Sequence, residues 1–137
     1  MPTSPAEVEK FMQRERLAAF CTVDSENKPH VVPVFFTYVN EKAYVQTDRN
    51  SVKVHNLLKN PHVAVLVCSG EFGEEVVIIR GQARIVDEDE FVVRTQEHID
   101  KYHIQLDVEG KDGMDLALFD QRVRCVVEIT AECLLYW

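Results

Sequence analysis

The sequence lacks any apolar run long enough to cross a bilayer; its longest, such as Val63 to Cys68, are strand-sized, and charges interrupt everything longer. A basic face is missing too. Lys and Arg number 15 against 23 Asp and Glu, and the formal net charge of -8 excludes a general affinity for nucleic acid, which needs clustered cations. The segment Met1-Pro2-Thr3-Ser4-Pro5-Ala6-Glu7 has no basic region followed by an apolar run, so no secretory signal is expected and the expected address is cytoplasmic. Cys21, Cys68, Cys125 and Cys133 contain no Cys-x-x-Cys pair, and no paired His spacing suggests zinc. Three of these cysteines lie in apolar runs, where a buried small hydrophobe is the expectation. Neither His30 nor His55 sits in a Ser or Cys nucleophile pattern, and no internal repeat or low-complexity stretch is present.

What remains is enough for one domain: 137 residues, 46% of them hydrophobic. Ser4-Pro5-Ala6-Glu7 opens a helix, with Ser4 as cap, Pro5 at the first helical position and Glu7 completing a capping box, and the helix runs to about Arg14. Leu17 to Val23 and His30 to Val39 read as a hairpin across Asp24-Ser25-Glu26-Asn27-Lys28. Pro33 has no amide hydrogen, so its strand is expected at a sheet edge or bulge, where backbone groups are free for a ligand. Ala43 to Thr47 is a third strand. Ser51 then caps a short helix whose Val54, Leu57 and Leu58 share one face, and Asn60-Pro61 ends it.

Val63 to Cys68 and Val76 to Val86 follow as strands joined through Gly70 to Gly73, and Gly81 marks a bulge, a corner or a close approach. Asp87-Glu88-Asp89-Glu90 suits the positive end of a helix reaching about Tyr102. His103 to Asp120 reads as a loop, or a loop with a short helix around Leu116 to Phe119. The last strand places Val123, Cys125, Val127 and Ile129 on one face and extends through Leu134-Leu135-Tyr136-Trp137. The sum is a mainly β chain of about six strands with short helices, which fits a closed or partly closed antiparallel barrel.

The strongest chemical feature is the turn into a helix at Thr47 to Asn56. A helix start presents free amides and a positive dipole end, Thr47 and Ser51 add hydroxyl donors, and Arg49 and Lys53 add charge. That is an anion site; alternatively, Ser51 only caps the helix and the two cations are solvated. Glu97, His98, Tyr102 and His103 stand close enough along a helix to suggest a metal, but Tyr is an uncommon ligand and an exposed helix surface explains the set at least as well, so no metal is expected. Trp137 reads as an apolar plug closing the barrel.

An ordered series of segments resembles the pyridoxamine 5'-phosphate oxidase-like FMN-binding split-barrel proteins. It comprises Leu17-Ala18-Ala19-Phe20-Cys21-Thr22-Val23-Asp24, Lys28-Pro29-His30-Val31-Val32-Pro33-Val34-Phe35-Phe36, Tyr44-Val45-Gln46-Thr47, Ser51-Val52-Lys53-Val54-His55-Asn56-Leu57 and Asn60-Pro61-His62-Val63-Ala64. Gly81-Gln82-Ala83, the acidic helix start and a closing strand ending in Trp137 continue it. The resemblance implies a six-stranded antiparallel split barrel, FMN-binding type, in a homodimer with a flavin in each of two interface clefts. Thr47, Ser51, Val52 and Lys53 would hold the ribityl phosphate, with Arg49 beside them. Val32, Pro33, Val34 and Phe35 would lie along the ring, and Trp137 or Tyr136 would pack near it across the interface. Gln82 would donate to a ring carbonyl or be an ordinary outward strand residue.

The redox chemistry would belong to the flavin, with the protein binding and orienting it. The true oxidases carry Arg-Lys after the Ser of this segment, where this chain has Val52, and Arg49 stands as a substitute from upstream. Their carboxy-terminal substrate-binding Arg and His segment is not found. The expectation is therefore an FMN-dependent oxidoreductase of unknown substrate, with the deazaflavin F420 as alternative cofactor and a non-enzymatic flavin- or haem-binding barrel as alternative role.

Overall fold

The computed structural model describes residues 2–106 and 117–137. Helix α1 spans Pro5–Arg14, as the sequence predicts, with Pro5 at its start and the Ser4 hydroxyl accepting from the Glu7 amide at 3.3 Å. The capping box is offset by one residue: the Glu7 carboxylate takes both the amide and the hydroxyl of Thr3, each at 2.7 Å. Val8, Phe11 and Met12 form its buried face.

Strands β1 (Leu17–Val23) and β2 (Pro29–Phe35) form the expected hairpin, with Leu17 opposite Phe35 and Val23 opposite Pro29. The run read as one strand to Val39 is two. Phe36 interrupts it, and Thr37–Val39 is a separate strand, β3, which raises the count to seven. Next come β4 (Lys42–Asp48), α2 (Val52–Lys59), β5 (His62–Ser69), β6 (Glu75–Ile85), α3 (Glu88–Leu106) and β7 (Arg124–Tyr136). His103, Gly110, Gly113 and Leu116, which figured in the loop and metal readings, lie outside the residues whose side chains are described; Ala117 and Leu118 are helical.

All seven strands form one antiparallel sheet in the order β2-β1-β5-β6-β7-β4-β3. Its two edge strands, β2 and β3, are consecutive in the chain and separated only by Phe36. The sheet therefore curls until its ends meet, and the chain rather than a ladder joins them. This is a split barrel, mainly β, with α1, α2 and α3 as the helices named among the described residues. Pro33 sits on the edge strand, where its missing amide hydrogen costs no ladder bond. Gly81 lies at the register shift where β7 crosses β6; a Cβ there would sit 1.9 Å from the Thr130 carbonyl oxygen, so only glycine admits the approach.

The barrel is filled by inward residues, among them Phe20, Phe36, Val45, Val65, Val77, Ile79, Val127 and Ile129. On α2 the buried face is Val54, Asn56 and Leu57, while Leu58, placed there by spacing, is 67% exposed. Asn56 is admitted because its amide donates to the Thr22 hydroxyl at 3.0 Å. Of the cysteines only Cys125 is buried; Cys21 and Cys133 are half-buried and Cys68 exposed, because their strands turn those positions to the outer face. Trp137 is 49% exposed and pairs through its backbone with Val76, so it does not plug the barrel.

Helix α3 is tied to the sheet at both ends. Near its start Arg84 bonds Glu90 and the buried Glu128, which also accepts from Tyr44. Burial alone would raise the Glu128 carboxyl, but the bonds from Arg84 and Tyr44 outweigh it and hold it below its ordinary range. Near the other end, α3 holds the chain where the sheet closes. Phe36 has no strand partner for its backbone; its amide donates to the Tyr102 hydroxyl at 2.8 Å, and its carbonyl accepts from Tyr102 and from Lys101 Nζ.

Candidate functional site

The anion site predicted at the start of α2 is built by three elements. β4 delivers Thr47 and Asp48, the turn at Asp48 to Ser51 is closed by the Ser51 amide on the Asp48 carbonyl, and α2 follows. The first intrahelical bond runs from the His55 amide to Ser51, so the amides of Val52, Lys53 and Val54 have no helical acceptor. Ser51 is the capping residue by position, yet its hydroxyl does not cap. Its oxygen is buried and has no hydrogen-bond partner.

Three cations converge on Cys125, the β7 residue opposite Thr47. Arg49 Nε donates to the Gln121 carbonyl at 2.7 Å, Lys53 makes no hydrogen bond or ion pair among the described residues, and Arg124 pairs with Asp48 at 2.7 Å. All three influence the buried Cys125 at the end of β7; burial pushes its thiol up, while Arg49, Arg124 and Lys53 pull it down. Burial also lowers Lys53 below the ordinary lysine range, Asp48 draws it back up, and Arg124 adds to the depression. Among the described residues Asp48 is the single carboxylate acting on this group, so positive charge is in excess among them. A small cavity of about 240 Å³ opens here, lined by Asp48, Asn50, Ser51 and Val123.

Arg124 was not among the residues singled out in the sequence. Its role depends on the β4–β7 register, which sets it opposite Asp48 and lets its guanidinium also hold the Gln46 side chain. Alternation along the last strand was legible, but this pairing across the sheet was not.

The other predicted residues fall in two further places. Val32, Pro33, Val34 and Phe35 lie on β2, which approaches β4 across the closure of the sheet. Phe35 packs edge-on against Tyr102, ring centres 5.0 Å apart, and Tyr102 in turn lies against His98 at 4.8 Å. Thus α3 bridges the strand proposed for the ring and the region of Arg124. Val52 projects from α2 and is 56% exposed. Trp137 is at the opposite end of β7 from Arg124, and within one chain it does not join the anion site. His55 and Gln82 are exposed, and His30 is half-buried with Nδ1 unpartnered.

The Glu97, His98 and Tyr102 group is not an exposed helix surface: Tyr102 is buried, and burial with Arg124 and Lys101 nearby pushes His98 down to about 4. No cluster of three or more His, Cys, Asp or Glu among the described residues is arranged to hold a metal. No helix among the described residues is long and apolar enough to cross a membrane.

A model of the family described as pyridoxamine 5'-phosphate oxidase matches residues 4–132. No curated protein matches the chain. Among solved structures, it is similar to the conserved hypothetical protein Rv2991 from Mycobacterium tuberculosis, with 23% identity and a TM-score of 0.85 over 100% of this chain and 86% of that one. It is also similar to HutZ, the haem storage protein from Vibrio cholerae, with 17% identity and a TM-score of 0.76 over 96% and 92% of the two chains. A third is an F420 reductase, with 19% identity and a TM-score of 0.73 over 98% of each. At these identities the three show the fold alone.

Proposed function

The chain belongs to the pyridoxamine 5'-phosphate oxidase family, and from that premise we propose that it is a flavin-binding oxidoreductase holding FMN by its phosphate at the start of α2. The observation that carries the reading is the buried, unpartnered Ser51 hydroxyl, set at a helix start next to the strand ends where Arg49, Lys53 and Arg124 act together on Cys125. A hydroxyl donor, free amides and excess positive charge are what a phosphate requires. Thr47, Ser51, Val52 (through its amide) and Lys53 would contact the phosphate, with Arg49 and Arg124 balancing its charge. The β2 segment Val32, Pro33, Val34 and Phe35 would lie along the ring and offer it backbone groups, the Val32 and Val34 side chains being turned into the core.

Bound flavin supplies electron or hydride transfer; the protein's residues bind and orient it. Val52 in place of a second cation turns the reading away from pyridoxamine phosphate as substrate. The substrate is a different small molecule.

A second copy of the chain is part of the proposal. Strand register aligns Pro33, Ala19, Leu66, Ile78 and Leu135 in one row across the outer face, and Val31, Cys21, Ala64, Arg80 and Cys133 in the next. Every one of these side chains is exposed or half-buried. An apolar sheet face of this breadth needs a cover, and a homodimer supplies it while leaving Trp137 available to a site across the interface.

Titration of the purified protein with FMN and, separately, with F420 tests the reading. Uptake of FMN in preference, with a molecular mass in solution of two chains, is the expected result. Preferential uptake of F420 would move the protein to the deazaflavin reductases, and uptake of neither would overturn flavin binding.

A further inference from the structure

A second cavity, of about 400 Å³, lies between the end of α1, β3 and α3, and its walls include Thr37, Tyr38, Val39, Glu97, Asp100 and Lys101. None of the residues assigned to the flavin lines it. The Thr37 hydroxyl on its wall is buried and has no partner, although the residue is only 4% exposed.

Lys101 is the reactive group in this cavity. Its Nζ donates to the Met12 carbonyl at 3.1 Å and the Phe36 carbonyl at 2.9 Å. An ammonium has three hydrogens and a neutral amine two hydrogens and a lone pair. With two carbonyls to satisfy, the neutral amine keeps both bonds and turns its lone pair to the third position, so losing the proton leaves no acceptor unpaired. Burial pushes Lys101 down to about 8, against the opposing pull of Glu15. The Phe36 and Tyr102 rings, 4.0 and 5.2 Å from Nζ, and the carboxylates of Glu97 and Asp100 on the cavity wall favour the charged form. Arg94 holds Glu97 at 2.7 Å and offsets part of that field.

We propose that Lys101 and its cavity form a capture site for small uncharged aldehydes, which bond reversibly to Nζ as an imine. The lone pair of the neutral amine adds to the carbonyl carbon, and the carbonyl π electrons move to oxygen. Loss of water then forms the C=N bond, the two protons from nitrogen leaving with that oxygen, so no oxidant or reductant is consumed. Tyr38 and Val39 give the cavity apolar walls, the unpartnered Thr37 hydroxyl is a donor for the oxygen, and Glu97 and Asp100 disfavour an anionic aldehyde. Because the imine nitrogen has fewer hydrogens than the amine, capture also loosens the hold on the Phe36 carbonyl at the closure of the sheet.

The test uses the intact chain, benzaldehyde as probe and cyanoborohydride to trap the imine, with modified lysines located by peptide mass mapping. At pH 7.4 about a fifth of a group titrating near 8 is neutral, against roughly one in a thousand of an ordinary lysine, and the lower basicity returns part of that advantage. Lys101 is expected to be modified about tenfold faster than the exposed Lys28 at pH 7.4, and the ratio of the two rates is expected to shrink as the pH rises past about 8. 4-Carboxybenzaldehyde is expected to modify Lys101 several-fold more slowly than benzaldehyde. Modification no faster than that of Lys28, or a pH profile that follows Lys28, overturns the site; equal rates with the two aldehydes overturn its preference for uncharged ligands. The comparison is made within one folded molecule and depends on neither a variant nor bound flavin.

Discussion

Replacing Tyr102 by Phe removes a single oxygen and leaves the ring against Phe35 and His98. That oxygen accepts the Phe36 amide at 2.8 Å and lies 2.5 and 2.8 Å from the Phe36 and Arg16 carbonyls. The Phe36 carbonyl keeps Lys101 as a donor, but the amide is left buried without a partner. An orphaned buried amide costs about 1–3 kcal/mol and the lost donor about 1 kcal/mol more, so a destabilisation of roughly 2–4 kcal/mol is expected. Urea unfolding followed by tryptophan fluorescence measures it. With a slope of about 2 kcal/mol per molar, the midpoint should fall by about 1–2 M. A fall below about 0.25 M at unchanged slope would refute the claim that Tyr102 satisfies Phe36 where the sheet closes. The ratio of FMN to riboflavin affinity should not change, since the phosphate end of the site is untouched.

Ser51→Ala and Lys53→Ala should each weaken FMN about tenfold, corresponding to about 1.4 kcal/mol, and leave riboflavin affinity as it was; isothermal titration with both ligands checks this. Gly81→Ala should cost about 1–3 kcal/mol of stability by urea unfolding, because its methyl group meets the Thr130 carbonyl. His98 is held neutral by a value near 4, so on acidification the unfolded chain, titrating near 6.5, takes up the proton first. Its contribution is complete above pH 6.5, declines down to about 4 and then levels; between pH 7 and 5 the loss should be about 1–2 kcal/mol, and His98→Gln should flatten that part of the profile.

Local signals in the sequence were enough for elements governed by local physics. Ser4 and Pro5 define the start of α1, the strand length and composition of Leu17 to Val23 define β1, and Gly81 marks a crossing where a side chain would strike a carbonyl. The division at Phe36 was not legible, because Phe36 continues an apolar run with no turn residue near it. Only the meeting of the two sheet edges makes a break there necessary. Leu58 failed for a similar reason: its spacing fits the buried face, but the face that α2 buries includes Asn56, bonded to Thr22, and leaves Leu58 outside. At the candidate site, Thr47, Arg49, Ser51 and Lys53 are close in sequence and were found together. Arg124 and Tyr102 reach their places through the β4–β7 register and the placement of α3, and no spacing along the chain encodes either.

The phosphate assignment is tested most directly by the affinities of the unmodified protein for FMN and for riboflavin, two ligands that differ only in the phosphate. If Ser51, Lys53 and the amides of α2 hold that group, FMN should bind at least a hundredfold more tightly, about 2.7 kcal/mol, and the difference should shrink as ionic strength rises. Equal affinities would place the flavin elsewhere or exclude it, and with it the account of the α2 start given above.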